Sequence, residues 1–380
     1  MKIIVAEEDN APPAIIKVIG VGGAGGNAIN RMAEHGIRGV ELISANSDAQ
    51  ALRANQAEIK IQIGETLTQG LGVGGDAMKG KMAAMESEGQ IREVLTGAHL
   101  VFITTGMGGG TGTGAAPVVS SIAKELGALT IGVVTRPFHF EGLTRADIAE
   151  KGIHEMRQNV DALLVIPNEK LFEIIDKDTL SENAFRMADD VLRRAIQTIS
   201  DMITTSGFIN MDLNDMRAIM KDAGDALIGL GEASGPGRAV RAAKEAVESP
   251  LLENIVIDGA KGLIVNVSGG HGNLKLSEID EIMSVITGKA SPDAKIKLGK
   301  AYDESLARED KIRITVIATG FPARRLVRPY GRPSGRPDVY GEPFQPSGGF
   351  DLDAGRLTAA TSPEEWAKPA YLRLKTRKLK

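Results

Sequence analysis

Residues 101–120 read VFITTGMGGGTGTGAAPVVS, an apolar, partly β-branched run that breaks into six glycines within positions 106–114 and leaves them in a helical pattern. Glycine tolerates positive φ and lets main-chain N–H groups converge on an anion, so packing alone is a poor account of so many glycines. The turn is expected to cradle phosphate, with a helix beginning after Gly114 adding the positive end of its dipole. Upstream, AIIKVIG at 14–20 runs straight into VGGAGGNAINRM at 21–32, where Gly20, Gly22 and Gly25 satisfy G-x-G-x-x-G. Glu41 follows about twenty residues later, expected at the end of the next strand, the position from which an acid would hold a dinucleotide ribose. A third loop, GLGVGGDA at 70–77, is placed to close over a terminal phosphate. The P-loop pattern G-x-x-x-x-G-K-[ST] does not occur.

Working outward, residues 14–167 alternate short apolar runs with helical patterns, including GVELISAN, ALTIGVVT and DALLVIP. That alternation predicts a parallel sheet with crossover helices. From Thr179 to Ser206, Phe185, Ala188, Leu192, Ala195, Ile199 and Met202 recur at three- and four-residue steps, predicting one helix of about seven turns. Helices near 212–222 and 238–248 and the strand-like runs GLIVNVSGG and KIRITVIATG then predict a smaller second α/β unit ending near Gly320. The expected organisation is a flexible start at 1–13, a nucleotide-binding domain at 14–178, a central helix at 179–206, a second domain at 207–320, a linker at 321–364 and a terminal peptide at 365–380.

Composition narrows the function. Over 380 residues, 45 Lys+Arg stand against 49 Asp+Glu, a net charge of −4 that argues against neutralising a nucleic-acid backbone. With no cysteine there are no disulfides, thiolate metal sites or cysteine nucleophile. The acidic start MKIIVAEEDN lacks the basic n-region of a secretory signal, and no stretch reaches the roughly 18 apolar residues that span a bilayer. A cytoplasmic protein without direct membrane insertion is expected. Half of the 16 prolines fall in the last 60 residues, and the final YLRLKTRKLK carries five positive charges and no negative one. Such a tail is a disordered end or a tethered peptide that folds onto a partner through Trp366, Tyr371 and Leu372.

GMGGGTGTGAAP at 106–117 resembles the tubulin signature in its bacterial form, while IKVIGVGGAGGNAINRM, RPFHFEG, GFINMD and SPLLE resemble FtsZ, the tubulin-like cell-division GTPase family. The resemblance covers residues 14–320 almost without gaps. Ala24 stands where many members have glycine, and Asp76-Ala77 where proline commonly follows the Asn or Asp. The resemblance implies a tubulin-like two-domain α/β fold, a parallel-sheet nucleotide-binding domain and a smaller α/β domain joined by a long central helix. It implies GTP/GDP and Mg²⁺ as ligands, a head-to-tail homopolymer at the division site, and membrane-tethering division proteins bound through the terminal peptide. It places nucleotide contacts at Gly23, Ala24, Gly25, Gly26 and Asn27, and at Gly108, Gly109, Gly110, Thr111 and Gly112. Glu141 and Arg145 follow from FEGLTR.

Physically, Glu141 and Arg145 lie four apart at a strand-to-helix junction, where they either face a ligand together or form an ordinary ion pair. Phe185 and Asp189 are also four apart. A ring that stacks on a base beside a carboxylate that accepts from guanine N1–H and its amino group would discriminate against adenine; the plain alternative is a core ring and a solvated acid. Asn210, Asp212 and Asp215 form N-x-D-x-x-D just past the central helix. Such acids are a helix cap with its dipole complement, or hydrolytic groups. At the far end of that helix they cannot reach their own nucleotide, so head-to-tail stacking would place them over the neighbour's γ-phosphate. Two other classes compete: a nicotinamide-dependent oxidoreductase built on G-x-G-x-x-G plus Glu41, and a filament protein that binds GTP without hydrolysing it.

Overall fold

The computed structural model describes residues 14–37, 39–173, 180–204, 212–252, 259–270 and 272–321. The strands are β1 (Ile16–Val21), β2 (Glu41–Asn46), β3 (Ile59–Gln62), β4 (Leu100–Gly106), β5 (Leu129–Arg136), β6 (Ala162–Pro167), β7 (Gly224–Ser234), β8 (Gly262–Gly269), β9 (Lys295–Tyr302) and β10 (Lys311–Thr319). They form one sheet in the order β3-β2-β1-β4-β5-β6-β7-β10-β8-β9. The first six pair in parallel. β7 joins β6 in parallel from Ala162↔Gly224 to Leu164↔Ala226, β10 runs antiparallel to β7 and β8, and β9 is parallel to β8.

Every residue of β1, and all of β4 but its last, is buried, as β-branched runs require when helices cover both faces. On one face Ile29, Met32, Phe102, Leu192, Ile196 and Ile199 share a core. On the other, Ile19, Ile103, Val119, Ile122 and Ile153 do. A third core, around Ala242, Ala246, Val265, Ile282 and Ile314, lies among β7 to β10 and their helices.

The central helix spans Ser181–Thr204, 24 residues, so it is about 36 Å long. The described part of the expected 179–206 ends at Thr204, since residues 174–179 and 205–211 lie outside the described ones. Ala188, Leu192, Ala195, Ile199 and Met202 of its periodic line are buried, while Phe185 is 42% exposed and does not belong to that core. The expected helices near 212–222 and 238–248 are Leu213–Met220 and Arg238–Val247.

Two expectations change. The helix after the second glycine loop begins at Thr111 and runs to Glu125, so Gly112 and Gly114 lie inside its first turn instead of ahead of it. They are there for packing. A Cβ on Gly114 would stand 1.9 Å from the Ala77 carbonyl oxygen and one on Gly112 would stand 2.1 Å from Thr105 Oγ1. The strand β7 was also illegible, because ALIGLGEAS carries glycines that usually weaken a strand. Here a Cβ on Gly229 or Gly231 would lie 2.0 Å from the carbonyl oxygen of Ala246 or Ala242, so the helix Arg238–Val247 sits directly on the strand.

Gly231→Ala is therefore expected to destabilise the fold by about 1–3 kcal/mol through overpacking. Gly89→Ala, in a helix where nothing lies within 4 Å of the added carbon, should stabilise by roughly 0.5–1 kcal/mol. Chemical denaturation of the two variants against the parent checks both signs.

Candidate functional site

β1 and β4 are neighbours, yet the chain leaves β1 towards β2 on one side and β4 towards β5 on the other. Open α/β sheets form a crevice beyond the carboxyl ends of the strands at such a reversal. A cleft of about 270 Å³ lies there. β1 ends at Val21 and the helix Gly22–Glu34 starts at once; β4 ends at Gly106 and the helix Thr111–Glu125 starts after four intervening residues. The two turns are tied together, since Thr105 Oγ1 donates to the Val21 carbonyl at 2.9 Å.

Neither helix has a side-chain N-cap or an acidic residue in its first turn. Other helices here do: Asp48 and Asp76 each accept from two main-chain N–H groups of the helix they open. The first four N–H groups of a helix have no intrahelical partner, so two bare N-termini side by side form a site for an anion.

Of the expected nucleotide residues, Gly23 and Ala24 line the cleft from the first turn, and Gly109, Gly110, Thr111 and Gly112 from the second. A Cβ on Gly23 or Gly109 would meet nothing within 4 Å. Gly25, Gly26, Asn27 and Gly108 do not line it. A Cβ on Gly25 would stand 2.5 Å from the Thr104 carbonyl oxygen, and the Gly26 carbonyl accepts from Asn55 Nδ2 at 2.8 Å. Asn27 is exposed, and Gly108, at φ +101°, has the Arg145 carbonyl oxygen 2.8 Å from where its Cβ would be. The third glycine loop abuts the second, its Val73 side chain and Asp76 main chain occupying the space beside Gly110.

Glu141, Arg145, Phe185 and Asp189 complete the wall. Glu141 ends a 3₁₀ turn and Arg145 lies in the first turn of Leu143–Asn159, and the two form an ion pair. The other Glu141 oxygen accepts from the Phe138 N–H at 2.9 Å, which fixes the carboxylate at the rim. The Phe185 ring is held edge-on by Phe138, centroids 5.3 Å apart at 88°, and by Phe140 at 6.3 Å and 86°. Edge contacts leave a ring face for stacking.

Asp189 differs from its neighbour. Asp190 takes two of the helix's three arginines, accepting from Arg193 at 2.8 Å and Arg194 at 2.6 Å. Asp189 has no hydrogen-bond or ion-pair partner among the described residues. Burial pushes its carboxyl up to about 7, only partly offset by the Arg31 guanidinium, which itself pairs with Glu34 at 2.6 Å. An unpartnered, half-buried acid in a cleft wall is placed for a ligand with donors.

Asn168 was not foreseen. It follows β6, lines the cleft, is 5% exposed, and its Oδ1 has no partner among the described residues. Its only signal was position, the first polar residue after the parallel strand DALLVIP. Glu41 corrects another expectation. It opens β2 instead of ending it and pairs with Lys17 at 3.1 Å, so it sits at the sheet edge away from the cleft and the oxidoreductase reading loses its ribose acid.

The remote acids lie at that opposite edge too. Arg217, in the helix Leu213–Met220, donates to the carbonyls of His99 and Gly127 at 3.3 Å, just before β4 and β5 begin. Asp212 caps this helix by accepting from the Asp215 N–H at 2.6 Å, and Asp215 accepts from Lys297 Nζ at 2.6 Å. Neither lines the cleft. Asn210 lies outside the described residues.

Residues 15–176 match the Tubulin/FtsZ family, GTPase domain, and residues 224–322 match the FtsZ family, C-terminal domain. A structure of an FtsZ dimer from M. jannaschii, empty, is 44% identical, covering 81% of this chain and 88% of that one, with a TM-score of 0.77. A single-site mutant of FtsZ from M. jannaschii is 43% identical, covering 81% and 92%, with a TM-score of 0.78. The fold alone is shared with CetZ2 from Haloferax volcanii, in a GTPγS-bound protofilament, at 17% identity over 81% and 94%, with a TM-score of 0.69. With both of its matched segments and four-fifths of its length aligned in this way, the chain belongs to the FtsZ family of tubulin-like GTPases: it is a GTP-binding, GTP-hydrolysing, filament-forming protein of cell division.

Proposed function

We propose that hydrolysis is completed between subunits stacked head to tail, with Asn210, Asp212 and Asp215 of one copy over the γ-phosphate held in the cleft of the next. The observation that carries this reading is the position of Arg217, which fixes the helix capped by Asp212 at the amino ends of β4 and β5 while the cleft lies at their carboxyl ends. Seven residues of β4 at about 3.3 Å each separate the two edges by about 23 Å. No rotamer bridges that gap.

Within one subunit the bare N–H groups of the two helices hold the triphosphate, and Arg145 adds positive charge at the rim. Phe185 stacks on the base, Asp189 accepts from guanine N1–H and its amino group, and Asn168 Oδ1 accepts a further donor from the base or ribose. The neighbour's acids then orient and polarise the attacking water, which catalysis of phosphoryl transfer requires more than any covalent step. Mg²⁺ would neutralise charge on the phosphates. Among the described residues no group of three His, Asp or Glu stands together. The linker at 321–364 and the peptide at 365–380 are proposed to tether the filament to membrane-anchored division proteins, in the cytoplasm at the division site. Among the described residues no helix is long and apolar enough to cross a membrane.

Asp212→Asn keeps an acceptor for the helix cap and removes the charge. It is expected to bind GTP like the parent and to hydrolyse it about 10²-fold more slowly in single-turnover assays. The parent's rate per subunit should fall steeply on dilution; a rate independent of concentration would overturn the shared site.

Guanine recognition by Asp189 carries its own pH dependence. With its carboxyl near 7, affinity for GTP should rise about tenfold from pH 6 to pH 8 and binding should release a proton, measurable by calorimetry in buffers of different ionisation heat. The folded pKa lies above the ordinary 3.8, so the native state holds the extra proton between roughly pH 4 and 7 and stability is lost as pH rises through that window. Asp189→Asn removes this loss. Its melting temperature relative to the parent should be higher at pH 8 than at pH 5, while its preference for GTP over ATP disappears.

A further inference from the structure

Thr111 opens the second helix in the cleft wall, and its Oγ1 lies 2.7 Å from the Oγ of Ser47, 64 positions earlier in the chain. Ser47 is 0% exposed and does not itself line the cleft. Its main chain is fixed from the other side: its carbonyl accepts from Thr68 Oγ1 at 3.2 Å and from the Gly72 N–H at 3.3 Å. Asp48, the next residue, forms a β-bridge with Leu71, which is 85% exposed at the tip of the third glycine loop. One residue thus joins the nucleotide cleft to the loop packed beside Gly110.

In the free protein either hydroxyl can donate to the other. Each carries one proton, and an ionised phosphate offers only lone pairs, so a Thr111 hydroxyl that meets phosphate must spend its proton there. The Ser47 proton is then the one that points to Thr111 Oγ1. Donating to Thr111 polarises its O–H towards the phosphate and fixes its rotamer, so the loss of the first hydroxyl weakens the second bond.

We infer that Ser47 is a positioning residue for the GTPase site, acting through Thr111 by donating to its hydroxyl so that the Thr111 proton is aimed at a phosphate oxygen of the nucleotide. This rests on the reading that the triphosphate lies over the Thr111 turn. Ser47 touches no substrate; its whole effect passes through one threonine.

The test is a double-mutant cycle on the full chain, with GTP affinity measured at protein concentrations below the assembly threshold. Thr111→Val and Ser47→Ala should each weaken GTP binding about tenfold, a loss typical of a hydrogen bond to a charged group. The double variant should be no weaker than Thr111→Val alone, because the two share one path. Ser47→Thr, which keeps the hydroxyl, should restore binding, and the melting temperature of Ser47→Ala without nucleotide should stay close to the parent's. Normal binding by Ser47→Ala with weakened binding by Thr111→Val overturns the inference and leaves the cleft reading standing. Additive losses overturn it likewise, since Ser47 would then act by a separate route. Parent-like binding by both single variants removes the phosphate from this turn and overturns the inference with the reading beneath it. If Ser47→Ala does not fold, Ser47→Cys against Ser47→Thr supplies the comparison, a weak donor against a strong one of similar shape. Equal affinity of that pair overturns the inference; weaker binding by the cysteine supports it.

Discussion

Two helices begin side by side at the ends of two neighbouring strands, and their first turns touch backbone to backbone. A Cβ on Gly22 would stand 2.8 Å from the Gly112 nitrogen, so no other residue fits without moving one helix off its strand. Thr105 fixes the spacing from below through its bond to the Val21 carbonyl. Helices packed this closely have no room for capping side chains, and their terminal N–H groups are left facing the same small volume. N–H groups without an intrahelical partner that face one cleft, backed by two helix dipoles, favour an anion there. The cleft and its polarity follow from that contact, and with them the place proposed for the phosphates.

The glycines of residues 101–120 announce the site, but chiefly for a reason other than the one that makes them conspicuous. Gly106, Gly112 and Gly114 are excluded from bearing a Cβ by the protein's own atoms, and only Gly109 of that loop faces open space. The pattern was legible because tight helix-to-strand packing and anion binding demand the same residue. β1, β2, β4, β5 and β6 were legible for an equally local reason, since strands buried on both faces need continuous apolar runs; β3, the short and half-exposed IKIQ, carries no such run and was not foreseen. β7 was not, because Gly229 and Gly231 answer to a helix that follows them in sequence, and no local window contains that contact.

Single residues were readable only where spacing gave them company. Phe185 with Asp189 and Glu141 with Arg145 are each four residues apart, and the fold brings all four to the cleft. Asn168 and Ser47 stand alone in the sequence; their positions at the cleft and behind it arise from a strand end and from a contact spanning 64 positions. The asymmetry between Asp189 and Asp190 was equally hidden. Arg193 follows both acids at helical spacing, and only the packed structure shows that Asp190 takes it together with Arg194, which leaves Asp189 without a partner among the described residues while burial drives its carboxyl towards 7. Glu41 erred the other way, its distance from the first glycines fitting a dinucleotide fingerprint while its strand had only begun.

The separation of Asp212 and Asp215 from the cleft is best understood through charge. A carboxylate about 4 Å from a phosphate oxygen at an effective dielectric constant of 20 is opposed by about 4 kcal/mol for each unit of charge on the phosphate. A site holding its own hydrolytic acids would meet that repulsion on every binding event. Placing the acids at the opposite edge of the sheet would let each subunit bind the phosphates without Asp212 and Asp215 beside them. The repulsion then arises only when a second copy arrives, where it is offset by the interface that brings the acids in. Because the two edges are different surfaces, such contact is heterologous and each added subunit leaves a free edge at either end. On the proposed shared site, the geometry that would keep an isolated subunit from hydrolysing its nucleotide would also make the assembled form an open filament, with the last cleft at one end lacking its acids.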